Sequence, residues 1–155
     1  RARRDQSILT ALLMAACYMN FIACRPVADQ ALGQPTYAGY IPLSSKDGSS
    51  LYYAYWEATS SSQAPEERPI VLWLQGGPGC ASTFGAFYEL GPAILSDGTK
   101  RPKPNPWSLD KFNGLLVIDQ PVGTGYSIAA SPADIPTDMR GMAQDLYAGI
   151  GGFFD

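Results

Sequence analysis

The run Leu74-Gln75-Gly76-Gly77-Pro78-Gly79 is the stretch of this chain best equipped to take part in a reaction. Glycines let a backbone enter conformations closed to other residues and approach a ligand closely, and amide N–H groups freed at a strand end can point at a developing negative charge. The segment reads either as an oxyanion hole or as a tight turn with no chemical part. A nucleophile is the next requirement, and Gly125-Tyr126-Ser127-Ile128-Ala129 approximates the G-x-S-x-G spacing of a nucleophile elbow. Such a serine must sit on a sharp turn directly between strand and helix. Ser127 does not, because a loop containing Pro and Gly separates it from Asp119, and Pro132 and Pro136 bar an immediate helix. Histidine is absent altogether, so no complete Ser-His-Asp set exists in these residues.

Other chemistries find no support. Gly123-Thr124-Gly125 lacks the third glycine and the helix of a dinucleotide site, and no phosphate-binding loop ends in Lys-Ser or Lys-Thr. Glu66-Glu67 reads as a solvated surface pair, and no cluster has metal-ligand spacing, so neither metal nor cofactor is expected. Charged residues make up 16% of the chain and the net charge is -3, which offers no basic face to nucleic acid. The 16 Gly and 13 Pro alternate with strongly apolar runs, the pattern of a loop-rich globular fold. At 155 residues the chain is one domain or part of one.

The elements that must position the glycine turn are strands. Tyr37 to Leu43 and Leu51 to Trp56 read as strands joined by a turn at Ser45 to Ser49, which predicts a hairpin, and a polar surface connection spans Thr59 to Arg68. Ile70 to Leu74 and Leu115 to Ile118 are continuous apolar runs, each the pattern of a strand covered on both faces. Both end in Gly/Pro loops, which predicts an α/β sheet with parallel central strands. Between them Phe84 to Leu90 has the length of two helical turns, stopped by Gly91-Pro92, and Ala93 to Asn113 reads mostly as loop. A helix is predicted over Thr137 to Phe154, with Thr137 as N-cap and Met139, Met142, Leu146, Ile150 and Phe153 as one core-facing stripe. Gly149, Gly151 and Gly152 are expected to weaken its end by about 1 kcal/mol each relative to Ala.

Arg1, Arg3 and Arg4 precede an apolar run from Ile8 to Cys24, the layout of a secretory signal or of an uncleaved signal anchor. The chain accordingly divides into 1–26, a signal peptide or anchor, 27–36, a polar linker, and 37–155, the globular part. Cys17 and Cys24 would leave with a cleaved signal, making Cys80 the remaining cysteine. In an oxidising compartment a lone Cys implies a partner on another chain or on sequence outside these residues, unless it is a buried free thiol.

Four blocks in order and spacing, Ile70 to Ser82, Glu89-Leu90-Gly91-Pro92, Asn105-Pro106-Trp107-Ser108 and Asp119 to Ser127, resemble the serine carboxypeptidases from about Tyr37 onward. The resemblance implies the amino-terminal part of an α/β-hydrolase fold in a secreted, vacuolar or lysosomal enzyme that removes the last residue of peptides with a Ser-Asp-His triad. All three triad residues would fall outside this chain, and peptides would be its partners, with no membrane partner beyond a possible anchor. By the same resemblance Gly77 supplies an oxyanion N–H, while Gln75 and the Gly76 N–H meet the peptide's terminal carboxylate. Phe84, Tyr88 and Glu89 match the pocket for the leaving residue, and Cys80 matches a half-cystine with a downstream partner. The family commonly has Asn where Gln75 stands, and Gln keeps the amide donor on a longer stem. An acyltransferase of the same family and a non-catalytic binding protein on the same scaffold are the rival expectations.

Overall fold

Alternating residues build the predicted hairpin: Tyr37–Pro42 (β1) pairs antiparallel with Ser50–Trp56 (β2), Tyr37 opposite Tyr55 and Pro42 opposite Ser50. The structure is a computed structural model describing residues 32–96 and 101–155. The apolar run from Ile8 to Cys24, with Cys17 and Cys24, lies outside the described residues. After a surface connection with a 3-10 turn at Pro65–Glu67 come Ile70–Trp73 (β3) and a helix, Ser82–Gly85 (α1), which widens into one π-helical turn at Ala86–Leu90. Two two-residue strands, Ala93–Ile94 (β4) and Lys103–Pro104 (β5), precede Gly114–Ile118 (β6) and the long helix Met139–Phe154 (α2).

The main sheet has the order β1-β2-β6-β3. β6 runs antiparallel to β2 and parallel to β3, with Leu116 opposite both Tyr55 and Leu72. A parallel pair needs a long crossover, and α1 with the β4–β5 segment supplies it. One face of the sheet packs Ala54, Trp56, Leu115 and Val117 against Ala86 and Leu90. The other packs Leu51, Leu116 and Ile118 against Leu146, Ile150 and Phe153 of α2. Every residue of β6 is buried, and each large apolar side chain so enclosed contributes about 1.5–3 kcal/mol.

Several expectations need correction. β3 is less enclosed than its apolar run suggests: Trp73 packs into the cluster on one face and Leu72 into that on the other, but Ile70 is 37% exposed and the rest of the strand half-buried. Among the described residues β3 is an edge strand, bonded to β6 alone, and an apolar run does not report how many neighbours it has. Asp138, not Thr137, caps α2, its carboxylate accepting from the Gly141 N–H at 2.7 Å. Met139 is not a core contact but 75% exposed, because the first turn of α2 lies beside Gly76–Pro78 and not over the sheet. At Gly149 and Gly152 the structure adds a role, since a Cβ at either would press on Leu51 Cδ1 (2.7 Å) or Ile41 Cγ2 (2.6 Å), so their smallness lets α2 lie close on the hairpin. The supposed loop from Ala93 to Asn113 carries β4, β5 and a 3-10 turn at Leu109–Lys111, elements too short to show a period. α1 also begins two residues before Phe84.

Among the described residues, no helix is long and apolar enough to cross a membrane, and no group of three His, Cys, Asp or Glu could hold a metal ion.

Candidate active site

β3 ends at Trp73 and releases Leu74 and Gln75 into the glycine turn. Gly77 (φ +144°) and Gly79 (φ +94°) take left-handed conformations that a side chain would strain, which is why this turn is built from glycine. The amides of Gly76 and Gly77 donate to no group among the described residues, and both residues are exposed. The turn is closed at its base by the Gln75 N–H, which donates to Ser82 Oγ at 3.1 Å. Ser82 is fully buried at the start of α1.

Trp73 and Gln75 stand two apart at the strand end, on the same side. The Trp73 indole donates to Gln75 Oε1 at 2.9 Å, and Gln75 Nε2 donates to Glu89 Oε1 at 3.2 Å. Indole has only a donor, so the carbonyl end of the Gln75 amide must turn to Trp73 and its NH2 end toward Glu89 and solvent. Gly85 allows this, since a Cβ there would meet Trp73 Nε1 (2.5 Å) and Gln75 Oε1 (2.6 Å). The π-helical turn carries Glu89 and Tyr88, and the Tyr88 ring stacks on Phe84 at 4.6 Å and 15°, both rings 46% exposed. A second hydrogen on Gln75 Nε2 and two open backbone N–H groups thus lie within three consecutive residues, a donor set suited to an anionic oxygen.

The fold therefore brings together Gln75, Gly76, Gly77 and Glu89, with Phe84 and Tyr88 beside them on the same helix. Cys80 is a partly buried free thiol at the end of the turn. Ser127 is 7% exposed, donates to the Asp119 carbonyl at 2.6 Å and accepts from the Tyr52 N–H at 2.8 Å, so its hydroxyl is spent on joining a loop to β2. The Tyr52 phenol is pushed above its ordinary value, chiefly by burial and then by the negative charge of Asp119. Glu66 and Glu67 are solvated, as expected. Sequence reasoning missed Trp73 and Ser82. The spacing of Trp73 from Gln75 on one strand was a usable signal; Ser82 carried none, because its partner is a backbone N–H across a turn.

Residues 26–155 match the family model described as serine carboxypeptidase. The chain is 45% identical over 128 residues to serine carboxypeptidase-like 50 of Arabidopsis thaliana, covering 82% of this chain and 28% of that protein. It is 40% identical over 124 residues to the mouse (Mus musculus) probable serine carboxypeptidase CPVL, covering 79% and 25% respectively. The crystal structure of Kex1(delta)p, a prohormone-processing carboxypeptidase from Saccharomyces cerevisiae, matches with a TM-score of 0.63 at 28% identity over 79% of this chain and 28% of that one. The chain thus spans about a quarter of the length of these relatives.

Proposed function

The chain belongs to the serine carboxypeptidase family, and on that premise we propose that it forms the substrate-binding front of an enzyme that removes carboxy-terminal residues from peptides. Its fold is part of an α/β hydrolase. In this reading the peptide's terminal carboxylate accepts from Gln75 Nε2 and the Gly76 N–H. The scissile carbonyl lies over Gly77, whose N–H stabilises the oxyanion formed when a serine attacks. The leaving residue rests against Phe84 and Tyr88. The observation that carries the reading is the Trp73–Gln75–Glu89 chain, which presents an amide donor next to two unengaged backbone donors.

In this reading the enzyme works in vacuoles, lysosomes or outside the cell. The full nucleophile, base and orienting acid set is, in this reading, not among these residues, which contain no His. The isolated chain should therefore hydrolyse no blocked dipeptide. Turnover removed by a serine-directed inhibitor would overturn that. Full-length protein assayed on a blocked dipeptide and on an acyl-sugar with an alcohol acceptor decides the chemistry. Release of the terminal amino acid supports the reading; acyl transfer without hydrolysis replaces it with an acyltransferase, and inertness toward both replaces it with a binding protein.

A further inference from the structure

Asp119 is fully buried, and the mechanism above makes no use of it. Its carboxylate accepts the Thr83 N–H at 2.9 Å, the Thr83 hydroxyl at 3.2 Å and the Tyr126 N–H at 3.0 Å. A carboxylate removed from water needs such donors. Their placement has a consequence for the glycine turn. Trp73, where β3 ends, pairs with Val117, two residues before Asp119, and Thr83 is the second residue of α1, just past the turn. The turn from Gln75 to Cys80 therefore has both feet on β6, one through the β ladder and the other through Asp119. Gly125 (φ +59°) completes the arrangement, since a Cβ there would overlap Asp119 Oδ2 and come within 2.7 Å of Ala81 Cβ.

We propose that Asp119 is the positioning residue of the oxyanion turn: through Thr83 it holds the Gly76 and Gly77 N–H groups where the reaction needs them. The proposal rests on the carboxypeptidase reading for its kinetic consequence alone. Asp119→Asn leaves one acceptor oxygen and turns an NH2 toward a donor, so at most two of the three bonds survive. In the full-length enzyme kcat should fall about 100-fold, the scale of a small misplacement of catalytic groups. KM should rise by less than kcat falls, because the Gly76 N–H shares the terminal carboxylate with the Gln75 amide, which Trp73 holds separately. Affinity for a peptide aldehyde, whose adduct carries the oxyanion, should fall in proportion to kcat. Gly125→Ala should reproduce this loss from the opposite side, Thr83→Val should give a smaller one, and Thr83→Ser, which keeps both donors, should retain the rate.

Amide hydrogen exchange supplies a reading independent of activity. In Asp119→Asn and in Thr83→Val, exchange should rise from Gly76 to Thr83 and stay unchanged in β1 and β2. Unchanged exchange in the turn, or an equal rise throughout the protein, overturns the proposal, as does a loss of kcat without a matching loss of aldehyde affinity. Should the unmodified full-length protein hydrolyse no peptide, the carboxypeptidase reading fails, and the exchange pattern still decides the role of Asp119.

Discussion

β3 and β6 read alike as sequence, two short runs of branched and leucine residues that each stop at a Gly/Pro loop, yet they occupy unlike environments. β6 is flanked by β2 and β3, has a helix against each face, and buries all five of its residues. β3 has one neighbour among the described residues and leaves Ile70 37% exposed. Burial follows from a strand's place in the sheet order, which the apolar run does not encode. The division has a functional side as well. The less enclosed strand carries the candidate substrate contacts at its end, and the residue after the enclosed strand is the carboxylate proposed to anchor them.

The largest contrast should be in stability. Leu116→Ala, in the enclosed strand, should cost about 2–5 kcal/mol in the range usual for buried leucines. Ile70→Ala, at the half-open strand, should cost about 1 kcal/mol or less. Urea denaturation of the chain measures both, and equal losses would remove the distinction between the strands.

At the end of β3 the effects should be kinetic. Gly77→Ala in full-length enzyme should lower the chemical rate by about 3 kcal/mol, comparable to losing an oxyanion-hole donor, because φ +144° is unfavourable for alanine and the N–H would turn away. A folded variant with its full rate would end the oxyanion role. Gln75→Ala should weaken peptides with a free carboxylate by about 1.5–3 kcal/mol, the range for hydrogen bonds to charged groups, and spare amidated or ester substrates. Equal losses on both substrate types would sink the role given to Gln75.

The smallest effect should appear beyond β6, where Asp134 Oδ2 accepts from Ser49 Oγ at 3.0 Å and ties the loop before α2 to the hairpin. The Ser49 hydrogen bond is the leading reason that the Asp134 carboxyl lies below its ordinary value, with further help from Ser131 and Lys46. A lowered folded value means the tie contributes above the usual carboxylate range and is lost as pH falls through the lowered value. Acid titration of stability should therefore show a slight extra decline that Ser49→Ala reduces. An unchanged acid limb in that variant would discount the tie.

Much of the molecule was legible in its residues. The β1–β2 hairpin followed from alternation and turn residues, the parallel β3–β6 pair from two apolar runs, and the family from four spaced blocks. Gln75, Gly76, Gly77 and Glu89 could be named as a group because the blocks carry them, while Trp73 escaped notice among the apolar residues of its own strand. Asp119 was visible only as the residue after a strand, since its three donors lie 36 residues before it and seven after it.

What the sequence determined by itself were the local elements, the absence of histidine and hence of a self-sufficient triad, and the family. Those depend on residue type and short spacing, which a chain carries however it folds. Only the tertiary structure decided that β3 pairs with β6 alone among the described residues, that Met139 leaves the core, and that Gly149 and Gly152 are contact points. It alone oriented the Gln75 amide and placed Asp119 under the turn. Each of these depends on which distant segments meet, and contact between segments is a property of the assembled sheet and helices, not of any one stretch of residues.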